Sequence, residues 1–131
     1  MVKLLLVNNA SVNERDNSTG STALSRAIVK RKTKIVKLLL ENGANVNLKD
    51  RDNWTPLHIA SRIGQLDLVK LLIQYGADAS AEANFPINSP NESPSQVTSV
   101  DLATHFKHRE IVKVFFKNYA KRRNQSMKLG R

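Results

Sequence analysis

The chain matches itself at a regular spacing. The run Thr22-Ala23-Leu24-Ser25-Arg26-Ala27 falls on Thr55-Pro56-Leu57-His58-Ile59-Ala60 at a shift of 33 residues. The runs that follow share the shift: Ile35 to Leu40 then ENGANVN, and Leu68 to Ile73 then QYGADAS. Upstream, Val2 to Leu6 followed by VNNASVN is the same unit at a shift of 34, because DNSTGST holds an extra loop residue. Downstream, Thr98 to Ala103 and Ile111 to Phe116 form a further copy, displaced by 43. Roughly ten residues are therefore inserted ahead of it. Units of this size cannot bury an apolar face alone, so they must stack on one another.

Each unit reads as two helices. Thr55 is a good N-cap, and Pro56 follows at N1, where no N–H is needed. Gly64 permits a left-handed turn that ends this short helix. The second helix is predicted from about Leu66 to Tyr75, stopping at Gly76. On it Asp67, Lys70 and Gln74 form a narrow polar stripe, repeated by Lys34, Lys37, Glu41 and by Glu110, Lys113, Lys117. So wide an apolar arc requires a neighbour on each side. Leu38 and Leu71 are expected inside that stack. In the first copy Asn9 stands where Gly would be, and Asn tolerates that conformation.

These units resemble ankyrin repeats, whose period and T-P-L-H-x-A motif the third copy carries nearly intact. The resemblance covers residues 2–120. The second copy departs from it at Ala23 and Ser25, and the last carries Tyr119 where Gly should end its second helix. The resemblance implies an all-α solenoid of stacked helix-turn-helix units with β-hairpin finger loops. Its parts are a partial unit at 1–15, units at 16–49 and 50–81, an inserted loop at 82–97, a last unit at 98–120, and a basic tail at 121–131. Residues 2–6 match a second helix that no first helix precedes, which reads either as a degenerate N-terminal cap or, the favoured expectation, as a fragment of a longer array whose first unit exposes apolar surface. His58 is read as a scaffold residue bonding neighbouring backbone.

The chain has no Cys, which excludes disulfides and thiolate zinc sites. The apolar run near its start is too short for a secretory leader, and no stretch reaches membrane-spanning length. A soluble intracellular protein is expected, cytoplasmic or nuclear. The net charge of +10 is concentrated at the end: residues 107–131 hold 9 Lys/Arg and one Glu. Lys121, Arg122 and Arg123 suit a helix C-terminus, and serve nuclear import or polyanion binding equally well. The tail is expected to continue the last helix and then fray. The insertion, EANFPINSPNESPSQV, lacks helical period and reads as an extended mobile loop, standing where the resemblance implies one unit's β-hairpin finger. Its Ser89-Pro90 and Ser93-Pro94 are also compatible with proline-directed phosphorylation.

No catalytic constellation is present. Asp101, His105 and His108 share a helix face, but Asp101 and His108 stand at scaffold positions, so neither metal nor cofactor is expected. What remains is binding. The resemblance implies a concave surface made by finger tips and first helices. Carried over by position, it comprises Ser18 and Ser21 on one finger, with Val29 and Lys30 on its helix. The next finger supplies Arg51, Asp52 and Trp54, with Arg62 and Ile63 on its helix. His105 and Phe106 are the counterparts in the last copy. Trp54 either anchors a partner or packs on the neighbouring finger. The turns between helices carry Arg31, Lys32, Lys34 and Lys107, Arg109, which stacking would align into a basic ridge. The leading expectation is a non-catalytic module binding a protein, with an acidic surface on that partner. The alternatives are polyanion or nucleic-acid binding through ridge and tail, and a targeting fragment of a larger protein. A monomer is expected, with self-association through the first unit as the alternative.

Overall fold

The computed structural model describes residues 12–85 and 95–129. The half-unit at residues 2–6, Asn9, and both Ser-Pro pairs lie outside the described residues.

Among the described residues six helices form three pairs. They are α1 Ala23–Val29 and α2 Thr33–Glu41, then α3 Pro56–Ile63 and α4 Leu66–Gln74, then α5 Ser99–His105 and α6 Arg109–Leu129. The same chemistry opens each first helix. Thr22, Thr55 and Thr98 hold extended backbone, and each hydroxyl accepts the N–H three residues on, from Ser25, His58 and Asp101. The same conformation closes each first helix. Arg31, Gly64 and Lys107 have φ of 59°, 78° and 62°. Only Gly adopts that region freely, so the two cations hold it at a cost of roughly 1–2 kcal/mol each. Gly64 has a second reason to be Gly: a Cβ there would stand 2.5 Å from the His108 ring.

The helices make two layers. The first helices α1, α3 and α5 pack side by side in one row, and the second helices α2, α4 and α6 in the other. Between them lie Leu24, Ile28, Val36, Leu57, Leu68, Val69, Leu72 and Ile111, each at most 2% exposed. Each such side chain contributes roughly 1.5–3 kcal/mol once its neighbours are in place. Leu71 packs against this core but is only half-buried, and Leu38 is half-buried too. On α4 the central role belongs to Leu68, Val69 and Leu72, because the helix turns Leu71 towards the groove between Lys37 and Lys70.

Side chains also stitch unit to unit. Asn13 Oδ1 accepts the Asn45 N–H (2.6 Å), and its amide donates to Gly43 O (3.3 Å). Asn47 repeats this on the next unit, accepting from Asp78 N (2.8 Å) and donating to Gly76 O (3.2 Å).

The insertion departs from the expected loop at both ends. Ala83–Phe85 (β1) and Ser95–Val97 (β2) pair antiparallel, Ala83 opposite Val97 and Phe85 opposite Ser95. They are the arms of an enlarged finger. The tail continues the last helix, α6 running on to Leu129.

Candidate functional site

Three fingers stand in a row beside the first helices. Residues 16–21 close the first, with Asp16 N–H bonded to Ser21 O. Ser18 N–H and Oγ donate to the Asp16 carboxylate, which also accepts Thr19 Oγ1 and pairs with Arg26 at 3.0 Å. Those bonds, the Ser18 N–H foremost, hold the Asp16 carboxyl below the usual carboxylate range. Residues 50–54 close the second finger, where Asp50 Oδ1 accepts the N–H groups of Asp52 and Trp54. Arg51 joins the first two fingers: its N–H donates to Thr19 O (3.2 Å), and its guanidinium to Asn17 O. Asn84 of β1 joins the third by donating to Asp52 O (2.9 Å).

Between fingers and first helices runs a groove of about 690 Å³. It is lined by Ser21, Val29, Asp50, Asp52, Trp54, Ile59, Arg62, Ile63 and Asn84. Ser21, Val29, Asp52, Trp54, Arg62 and Ile63 are thereby brought together. Lys30 lines a smaller recess that continues the groove past Val29 and Ile59. Ser18 and Arg51 serve the fingers instead. His105 and Phe106 extend the aromatic floor: Phe85 packs on His105 at 5.6 Å, and His105 on Phe106 at 4.9 Å.

Trp54 is the floor, not a projection. It is 9% exposed, packs with Ala83 and Leu102, and donates its indole N–H to Asn84 O at 2.8 Å. Trp54 thus packs on the neighbouring finger. Above it sits Arg62, whose guanidinium carbon lies 5.6 Å from the Trp54 ring centroid and 5.8 Å from that of Phe106. Both distances are those of cation–π contacts.

His58 lies beneath, fully buried. Its Nδ1 accepts Thr55 N–H (3.1 Å) and meets Thr55 Oγ1 at 2.7 Å, so Nε2 carries the proton and donates it to Val97 O at 3.1 Å. Burial pushes its pKa below the ordinary 6.5, against the opposing pull of the Val97 carbonyl. This is scaffold chemistry. Asp101 and His108 are engaged in the scaffold likewise. The Asp101 carboxylate accepts Thr98 N–H (2.9 Å), and His108 Nε2 donates to Arg62 O at 3.0 Å.

The ridge residues Arg31, Lys32, Lys34, Lys107 and Arg109 are all exposed. Arg31 and Lys107 occupy equivalent turns, with Lys34 and Arg109 opening the helices that follow. Among the described residues the ion pairs are Arg26–Asp16 and Lys113–Glu110, so none engages the ridge.

Sequence reasoning missed Ile59, Asp50, Asn84 and Phe85. Ile59 was within reach, standing three residues before Arg62 on the same outer face of α3. Asn84 and Phe85 were not, because the arms of the hairpin are three residues each and carry no readable alternation.

The stacked helix pairs, capped by Thr and linked by fingers, define a helical repeat protein with a groove along its finger side. A family model of ankyrin repeats, three copies, matches residues 1–83, and the chain belongs to the ankyrin-repeat family. Such repeats are generally protein-interaction modules. Over 113 residues the chain is 34% identical to the ankyrin repeat protein FPV031 of fowlpox virus, a match covering 86% of this chain and 31% of that one. It is 34% identical over 97 residues to human protein phosphatase 1 regulatory subunit 27, covering 74% of this chain and 56% of that one. A shorter stretch of 37 residues is 54% identical to delta-latroinsectotoxin-Lt1a of Latrodectus tredecimguttatus, covering 28% of this chain and 3% of the toxin. The chain thus spans between 3% and 56% of the length of these relatives. Among the described residues no helix is long and apolar enough to cross a membrane.

Proposed function

We propose that the chain is a non-catalytic module that binds another protein through the groove between its fingers and first helices. One observation carries this reading. Val29 is 59% exposed on the rim of a groove that also gathers Ile59, Ile63, Trp54 and Arg62. Apolar side chains, an aromatic floor and an arginine in one concavity are the ingredients of a binding hot spot. The likeness to a phosphatase regulatory subunit, a protein named for a protein partner, supports the same class of role.

A second reading rests on charge. The second helices and the turns ahead of them, residues 30–42, 64–75 and 107–121, carry eleven Lys/Arg against three Asp/Glu. The described fingers and first helices carry five against seven. An acidic partner or a nucleic acid therefore suits the outer face, with Arg31, Lys32, Lys34, Lys107 and Arg109 at its edge. Such binding weakens steeply with salt, whereas capture in an apolar groove does not.

Immobilised wild type, Val29→Asp and the pair Lys34→Glu/Lys37→Glu separate the two. The groove reading expects one set of proteins retained by wild type and by the lysine variant, lost from Val29→Asp, and indifferent to salt. Material retained only at low salt, and lost only from the lysine variant, supports the outer face and overturns the groove.

A further inference from the structure

Arg62 is the unusual group of the groove. It is exposed, yet its guanidinium is held between two rings, Trp54 at 5.6 Å and Phe106 at 5.8 Å. Among the described residues no carboxylate lies within ion-pair distance of it. Arg26, one unit earlier, offers the contrast: it is tied to Asp16 at 3.0 Å. Cation–π contacts use none of the guanidinium's N–H donors, and those donors form a planar fork matched to a carboxylate. Holding the group over two rings also reduces the rotamer freedom that a surface arginine loses on binding.

The surroundings limit what can bring that carboxylate. Val29, Ile59 and Ile63 line the same groove and ask for aliphatic contact. Asp50 and Asp52 line it too. A run of acids would meet those two carboxylates, whereas a single acid can sit on Arg62 clear of them. We infer that Arg62 is a preset receptor for one carboxylate, and that the groove takes a peptide segment with a single Asp or Glu beside aliphatic side chains. This rests on the groove being the binding face, and adds to that reading the chemistry of the partner. It also moves any strongly acidic partner from the groove to the outer face.

The test is selection of a random-peptide phage library on the immobilised full chain. Enriched peptides are then synthesised and titrated against wild type, Arg62→Gln, Arg62→Lys and Val29→Asp, with thermal melts to verify folding. The inference expects enriched sequences with one acid next to aliphatics. Arg62→Gln, or changing that acid to its amide, weakens binding at least about tenfold, as loss of a charge-assisted bond should. Making both changes together weakens it little more than either alone. Arg62→Lys loses most of the affinity, because an ammonium offers no fork. Peptides lost on Val29→Asp but lacking an acid, or indifferent to Arg62→Gln, overturn the carboxylate receptor and leave the groove as the binding face. Peptides indifferent to Val29→Asp, or a library from which nothing is enriched, overturn both.

Discussion

His58 shows how much one side chain can settle. Its backbone N–H completes the cap of α3, its Nδ1 receives Thr55, and its Nε2–H reaches across to the hairpin at Val97. Of the three, the bond received by Nδ1 needs the neutral ring, because a protonated Nδ1 can no longer accept the Thr55 N–H. Because burial lowers its pKa in the folded chain, the unfolded chain takes up a proton first as pH falls. Its contribution is therefore intact above the unfolded value near 6.5 and is lost as pH drops below it towards the folded value. A thermal melt series across that range should show the midpoint falling on acidification, and falling less in His58→Gln. An equal fall in both chains contradicts the assignment. Gly64 is the second residue of this kind. Gly64→Ala places a methyl in a left-handed turn and against the His108 ring, 2.5 Å away. It should lower stability by about 2 kcal/mol or more in urea titration. Both residues were legible in the sequence, His58 as scaffold and Gly64 as a turn. Their partners were not, since Val97 and His108 stand 39 and 44 positions along the chain.

At the scale of elements, the helices were legible because capping chemistry and apolar arc agree in every copy. Which residue of the arc goes deepest was not. Leu71 and Leu72 are adjacent leucines, and the rotation of α4 against α2 and α6 decides between them. Leu72→Ala should lower stability by about 2–5 kcal/mol, and half-buried Leu71→Ala by clearly less, in denaturant titrations. Equal losses contradict the packing described. The hairpin was illegible for a different reason. Its arms are too short for a pattern of their own and are held by other elements, through Asp52 O, the Trp54 indole and His58. Trp54→Ala should therefore raise amide exchange of Asn84 and Gln96 selectively, while the α1 and α2 amides stay protected. Uniform loss of protection would mean that Trp54 holds the whole array.

For the whole molecule, the division of charge separates two faces that a net charge of +10 conceals. The fingers and first helices offer a nearly balanced groove, and the second helices with their turns a positive exterior. Position-by-position reading located much of the groove, because the repeat fixes which residues share a face. It could not see that Trp54 lies beneath Arg62, or that Arg51 bridges two fingers, since both depend on the inserted hairpin and on loop geometry. The central claim is that the finger and first-helix face is the one that binds. Amide chemical-shift mapping of the isotopically labelled chain, titrated with a selected peptide, tests it most directly. The account predicts shifts centred on Ser21, Val29, Ile59, Arg62 and Ile63. Shifts confined to the Lys34, Lys37, Lys113 and Lys117 face, with the groove amides unmoved, would contradict it.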